Sequence, residues 1–336
     1  MFNIWHRYLF IVVALILAGC DRSALQNAEP GRGQPPQTVT FAYTYQPQST
    51  LAYVAMARGY FVEEGLDVRM QMHNYGKAAL QSVLEGKADF ATVAETPVMF
   101  SVLKGDRIFV IANIESSTTN NAIVANREAG IEAPGQLKGK RVGFTPGTTS
   151  DFFLDSFLTA NGMTRKEIQP VGLKPEEMQD AIMAKKLDAV STWNYPLTQI
   201  KQSLGTAAVV FYDRQIYTET FNIAAQQEFV RNNPEAVRRF LRAMIKAEAL
   251  VAKFPDEAQT IVATAANLDK KLVREVWEAF NYKVIMDPSL LITLEDETRW
   301  AIKNKLTDKT EMPDYASYLY LDGLKSIKPE AITVLR

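Results

Sequence analysis

Few residues of this chain are equipped for covalent chemistry. Its 336 residues include two histidines and one cysteine, and His6 falls just ahead of an apolar N-terminal run, which leaves His73, in a polar stretch before Asn74 that reads as an exposed loop. One histidine and one thiol cannot assemble a zinc site or a Cys/His nucleophile pair. No cofactor motif is present either: Gly143 to Thr149 loosely resembles a phosphate loop, but the lysine after its second glycine is missing. What remains is a set of hydrogen-bonding and aromatic residues placed where strands are expected to end. These are Tyr45, Gln46, Gln48 and Ser49; Glu95 and Thr96; Ser116; Thr148, Thr149 and Ser150; Trp193 and Asn194; and Asp213. Side chains of this kind hold a small molecule and leave it unchanged.

The clearest arrangement runs from Leu137 to Leu158. Arg141 to Thr145 reads as a short strand and Pro146 and Gly147 as a sharp turn. Thr148, Thr149 and Ser150 then cap a helix that buries Phe153, Leu154, Phe157 and Leu158 and stops at Asn161 and Gly162. Such a turn offers free N–H groups and the positive end of a helix dipole, which suits an anion. Two readings stay open at each candidate. The three hydroxyls either cap their helix, worth about 1 kcal/mol, or touch a ligand. Trp193 is a core residue or a pocket wall, and Gln46 and Gln48 are loop residues or pocket residues. Glu95 either stabilises the helix start at Thr96 and Pro97 or faces a ligand. In the second case it disfavours a simple anion such as nitrate and favours an amine. Combined with an anion-holding helix end, it points to a zwitterion.

The elements that must position these residues alternate. Strands are expected at Val39 to Tyr43, Leu66 to Met70, Asp89 to Val93 and Ile108 to Ile114, with helices at Leu51 to Arg58 and Ala78 to Leu84. The rhythm repeats from Ala122: a strand to Ala125, the turn at Arg141, and a helix begun by Pro175 with Glu176 and Glu177 in its first turn and Lys185 and Lys186 in its last. Strands follow at Asp188 to Thr192, Ala207 to Phe211 and Phe221 to Ala225. This is the spacing of parallel βαβ units. From Asn233 the pattern becomes helical, at Glu235 to Lys253 and about 257–266, 269–280, 293–305 and 314–326. Five helices without strands are expected to pack back on the first set of strands.

The N-terminus reads as a targeting signal. His6 and Arg7 precede the apolar run Tyr8 to Leu17, which is too short for a span of about 20 residues. Leu17-Ala18-Gly19-Cys20 resembles a bacterial lipobox, which makes Cys20 the lipid-attachment residue of the mature chain. Cleavage there removes one charge, Arg7, and takes the net charge from -1 to -2. Each buried acyl methylene adds about 0.8 kcal/mol, so several chains hold a protein firmly on a membrane. Asp21 resembles the signal that keeps some lipoproteins on the inner membrane. Residues 20–37, rich in Pro, Gly and Gln, read as a tether with a reach on the order of 20 to 25 Å. The near-zero charge, without basic runs interleaved with aromatics, argues against nucleic acid.

Several stretches together resemble one family. Ala52 to Phe61 with Glu64 to Val68, Leu84 to Phe90, Leu137 to Gly143, Pro146 to Thr149, Leu187 to Ala189 with Trp193 and Pro196, and Asn233 to Val237 are similar to solute-binding proteins of bacterial ABC importers for sulfonates, taurine, nitrate and thiamine-precursor pyrimidines. The likeness is clear over about residues 39–250. It implies an α/β, type II periplasmic-binding-protein fold of two lobes joined by two crossing strands, with residues 38–116 and 227–336 in one lobe and 117–226 in the other. It implies a receptor in the cell envelope that closes on a small-molecule solute and meets ABC permease and ATPase subunits, and a monomer is expected. Ligands of such sheets lie beyond the carboxyl ends of the strands, where the candidate residues stand. Two other classes are compatible with the resemblance: a pyrimidine-synthesis enzyme, whose relatives use a histidine and a cysteine cluster absent here, and a sensory or adaptor lipoprotein.

Overall fold

The computed structural model describes residues 36–334; the signal segment, Cys20 and most of the tether lie outside the described residues. The first stretch of chain lays down β1 (Gln37–Thr44), α1 (Thr50–Ala57), α2 (Tyr60–Glu63), β2 (Leu66–His73), α3 (Gly76–Leu84), β3 (Phe90–Ala94), α4 (Glu95–Lys104) and β4 (Ile108–Ser117). The middle stretch forms β5 (Asn121–Asn126), β6 (Arg141–Phe144), α5 (Thr149–Ala160), β7 (Gln169–Gly172), α6 (Pro175–Met183), β8 (Ala189–Trp193), α7 (Pro196–Leu204) and β9 (Ala208–Phe211). The last comprises β10 (Glu219–Gln226), α8 (Gln227–Asn232), α9 (Pro234–Lys253), α10 (Pro255–Ala265), α11 (Lys270–Val276), β11 (Asn281–Ile285), α12 (Pro288–Lys303) and α13 (Leu321–Ile327).

These strands make two mixed sheets. The six-stranded sheet has the order β11-β4-β10-β3-β1-β2 and the five-stranded sheet β7-β6-β8-β5-β9. In the first, β1 runs parallel to β2 and β3, whereas β10 is antiparallel to β3 and β4. In the second, β6 runs parallel to β7 and β8, and β5 is antiparallel to β8 and β9. The chain therefore leaves the first sheet after β4 and returns to it at β10. Every residue of β3, β5 and β8 is buried, because helices cover both faces of these strands, and that is why small and apolar residues fill them without a polar-out alternation.

The C-terminal helices pack on elements of the first sheet, as expected. On α9, Val237, Phe240, Leu241, Met244, Ala247 and Val251 form a buried stripe at helical spacing, against α1, α2 and α13. Its opposite side carries Arg242 and Lys246, paired with Glu64 at 2.6 and 2.7 Å.

Four local expectations are corrected. The region after Asn233 is not free of strands: β11 pairs antiparallel with β4 at the sheet edge. Its signal, the alternation of Tyr282, Val284 and Met286, spans five residues only, so helical periodicity on either side masks it. Lys185 and Lys186 fall beyond α6, which ends at Met183, and Lys185 has a left-handed φ of 55°. Gln37, assigned to the tether, is the first residue of β1 and pairs with Leu66. His73 closes β2 half-buried, with its Nε2 3.3 Å from Ser82 Oγ, and is not in an exposed loop.

Candidate functional site

A narrow cleft lies where strand ends of the two sheets meet; its cavity volume is about 20 Å³, room for about one water, and the atom-free space counted out through its mouth is about 290 Å³. Gln46 and Gln48, after β1, line it from one side together with Tyr75, Gly76 and Lys77 at the start of α3, Ala94 and Pro97 around the start of α4, and Glu219 and Phe221 of β10. Thr148, Thr149 and Trp193 line it from the five-stranded sheet. The loop after β1 is fixed by Gln46 Nε2, which donates to Asn74 O at 3.3 Å, and by Ser49 Oγ, bonded to Thr44 Oγ1 at 2.9 Å. Gly76 is required by close approach: a Cβ there would stand 3.0 Å from Val93 Cα.

The start of α5 is built as the sequence suggests, with one difference. Thr148 occupies the N-cap position, but its hydroxyl donates to Thr145 O at 2.8 Å and no side chain caps the helix. Ser150 Oγ accepts from Thr145 N at 3.0 Å and donates to Ser191 O at 2.8 Å, which ties the turn to β8. Of the first-turn amides of α5, that of Asp151 bonds Thr148 O at 3.0 Å; those of Thr149 and Ser150 stand where a helix offers no internal partner, so the positive end of α5 is presented beside Thr148 and Thr149. Trp193, 4% exposed, adds an indole Nε1–H that makes no hydrogen bond among the described residues. Gln48, 2% exposed, adds an amide oxygen in the same position. Leaving such a buried group unpaired costs about 1–3 kcal/mol, so the cleft holds both a donor and an acceptor waiting for a partner.

The carboxylate in the cleft is Glu219, not Glu95. Glu219 accepts from Gln48 Nε2 at 3.1 Å, from Asn120 Nδ2 at 2.9 and 2.8 Å, and from Asn121 Nδ2. Burial raises its pKa, and these side-chain amides work against that rise. Glu95 is fully buried and turned away from the cleft, accepting from Tyr217 OH and from Thr220 N and Oγ1 at 2.8 and 3.0 Å. Burial, then the charge of Glu219, pushes Glu95 up to about 8. Glu115 and Glu297 lie close by, both fully buried and both held well above the usual carboxylate range, first by burial. Glu297 accepts from Thr96 Oγ1, and neither oxygen of Glu115 has a partner among the described residues.

Of the expected residues, Gln46, Gln48, Thr148, Thr149 and Trp193 come together at the cleft. The others are not among its lining residues. Tyr45 is half-buried and stacks on Tyr195 at 6.3 Å. Ser49 and Ser150 are structural clips, and Thr96 bonds Glu297. Ser116 lies on β4 between β11 and β10, accepting from Asn281 at 3.4 Å. Asn194 is tied to Asn120 and Thr198, and Asp213 accepts from Gln215 N at 2.9 Å in a local turn. Lys77 and Glu219 were missed because their elements were expected to begin at Ala78 and Phe221, each two residues late. Starting the strand at Glu219 puts Glu219 and Phe221 on one face by the period of two.

The profile of the NMT1/THI5 like family matches residues 46–258. The chain is 26% identical over 294 residues to a protein of Brucella abortus (strain 2308) described only as a binding protein, covering 86% of this chain and 88% of that one. It is 25% identical to the formylaminopyrimidine-binding protein of Halalkalibacterium halodurans, over 80% of this chain and 83% of the other. Among solved structures it is similar to the periplasmic aliphatic sulphonate binding protein SsuA of Escherichia coli, with a TM-score of 0.69 at 17% identity, covering 82% and 94% of the two chains. The fold is thus that of the periplasmic binding proteins, as the resemblance implied.

Proposed function

The chain belongs to the NMT1/THI5 like family, and from that premise we propose that it is the solute-binding subunit of an ABC-type importer, taking a small sulfonate-type or zwitterionic solute. One observation carries this reading: the cleft sets a carboxylate, Glu219, against the uncapped start of α5 and the unpaired Nε1–H of Trp193. A taurine-like molecule matches both ends, its ammonium on Glu219 and its sulfonate at α5. Glu219 rather than Glu95 takes the ammonium in this reading, because Glu219 is among the residues lining the cleft and Glu95 is not. An alkanesulfonate would use the α5 end alone.

Capture proceeds by closure. The elements of the six-stranded sheet, up to β4 and again from β10, which the expected boundary at residue 226 had put in the other lobe, and those from β5 to β9 move as two lobes about the connections that follow β4 and precede β10, and contacts to both favour the closed form. A permease and its ATPase then receive the solute. The sequence at Cys20 supports a lipid anchor, Asp21 an inner-membrane address, and the one-cleft design a monomer in the cell envelope. An aminopyrimidine is the second reading. Trp193 offers a flat wall and Glu219 an acceptor for an exocyclic amine, and the Halalkalibacterium relative binds formylaminopyrimidine by its name. The cleft lining contains no histidine or cysteine, which supports a receptor over an enzyme.

A thermal-shift screen with taurine, alkanesulfonates, nitrate, aminopyrimidines and riboflavin-like compounds tests the proposal, since a ligand that binds only the folded state raises its melting temperature. Taurine or an alkanesulfonate is expected to give the largest shift. Glu219→Gln is expected to weaken taurine by about tenfold or more in calorimetry, through loss of a charge-assisted bond, while leaving an alkanesulfonate unaffected. Equal losses for both would remove the zwitterion.

A further inference from the structure

We propose that Lys77 is the gate of the cleft and its selector for anions: its ammonium spans the mouth by holding the Pro146 carbonyl, and an anionic group arriving at α5 engages that same ammonium. The proposal rests on reading the cleft as a solute site and adds the residue that admits and discriminates the solute. Lys77 sits in the first turn of α3, which packs on β3 and β1 of the six-stranded sheet. Its Nζ donates to Pro146 O at 2.9 Å, in the turn after β6 of the five-stranded sheet. A single hydrogen bond therefore joins the two sides at the mouth.

The surroundings are arranged for this contact. Outside the cleft lies a groove with about 810 Å³ of atom-free space including open solvent, lined by Gln81, Phe100, Lys104, Gly147 and Asp151 among others. Lys77 and Pro97 are the residues that line both the groove and the cleft, so the route inward passes the ammonium. Gly147 has a left-handed φ of 68°, and a Cβ there would stand 2.9 Å from Lys77 Nζ; a glycine leaves room for the bond. The acids beside this path are already engaged, since Asp151 accepts from Gly147 N at 2.8 Å and pairs with Arg165 at 2.7 Å, and Asp106 accepts from Ser101 Oγ at 2.6 Å. Burial at the mouth and the like charge of Lys104 lower the Lys77 pKa, with Asp151 opposing, so an incoming anion relieves an ammonium that has no dedicated carboxylate.

An ammonium has three N–H donors. Lys77 can keep Pro146 and add an anion, and the added bond is charge-assisted and roughly twice as strong as one to a neutral acceptor. The independent pointer to an anion at this place is the buried, unpaired Nε1–H of Trp193, which lines the cleft with Thr148 and Thr149. A sulfonate bound there closes the gate harder, and a neutral solute gains nothing from it.

Lys77→Met and Lys77→Arg test this in two ways. By calorimetry, Lys77→Met is expected to weaken ethanesulfonate by about tenfold or more beyond any loss it causes for neutral ethanesulfonamide, and Lys77→Arg is expected to retain the preference for the charged compound. By hydrogen exchange of the ligand-free protein, amides of residues 145–150 are expected to exchange several-fold faster in Lys77→Met. Equal losses for both compounds would overturn the selector, and unchanged exchange would overturn the gate. If neither compound binds the parent protein, the choice of solute above has failed, and the exchange measurement still decides on Lys77.

Discussion

At Glu219, neutral amides from Gln48, Asn120 and Asn121 supply donors to both carboxylate oxygens. Donors to the charged form favour it, so of the four buried glutamates this is the one best placed to carry the negative charge. Glu95 receives donors too, but its burial and the neighbouring Glu219 outweigh them and push it up to about 8. The consequence for stability has a definite sign. Between the ordinary carboxylate pKa of about 4.3 in the unfolded chain and about 8 in the folded one, the folded state holds a proton that the unfolded state has lost. Stability from this group is therefore full at low pH and falls as pH rises through that window. Glu95→Gln, with its oxygen toward Thr220 and its amide toward Tyr217, is expected to flatten the decline. Thermal melts from pH 5 to pH 8.5 should show the variant overtaking the parent at the alkaline end; parallel curves would show that Glu95 is ionised throughout.

The β6–α5 turn divides its work between residues that hold the element and residues that present it. Ser150 bonds the backbone on both sides, to Thr145 N and Ser191 O, whereas Thr148 and Thr149 face the cleft. Ser150→Ala strands a buried N–H and a carbonyl and is expected to cost about 1–3 kcal/mol, read as a lower denaturation midpoint with an unchanged m-value. Solute affinity measured well below the melting temperature should stay within about twofold, because α5 keeps its place on the packing of Phe153, Leu154, Phe157 and Leu158. A large loss of affinity would move Ser150 into the site.

Across the whole molecule, a handful of contacts join elements of the two sheets. Besides Lys77 and Pro146, Trp300 Nε1 of α12 donates to Asp155 Oδ2 of α5 at 2.7 Å, Tyr45 stacks on Tyr195, and Lys201 of α7 meets Glu275 of α11 at 3.4 Å. The last pair is exposed and adds little. The indole bond reaches a buried carboxylate that Arg165 also holds at 2.6 Å, and hydrogen bonds to charged groups contribute about 1.5–3 kcal/mol. Trp300→Phe keeps the apolar contacts with Phe100 and Phe152 and removes that bond. It is expected to enlarge the radius of gyration of the ligand-free protein in solution scattering, and saturating solute should restore the smaller value. An unchanged radius would mean that α5 and α12 are held together by packing alone.

The layered α/β architecture was legible along the chain, because strands buried on both faces lack a polar-out alternation and helices need 3.6-residue stripes, and both patterns are written locally. The sequence also located the β6–α5 turn and placed Gln46, Gln48, Thr148, Thr149 and Trp193 at strand ends, where open sheets hold ligands. The tertiary structure decided which of those ends share one gap and which carboxylate faces it. Glu95 and Glu219 look alike in the sequence, and their roles part because Tyr217 and Thr220, more than a hundred residues after Glu95, turn one carboxyl inward, while three amides hold the other at the cleft. Lys77 and Pro146 meet only because two sheets face each other, and such a pairing leaves no periodic trace along the chain.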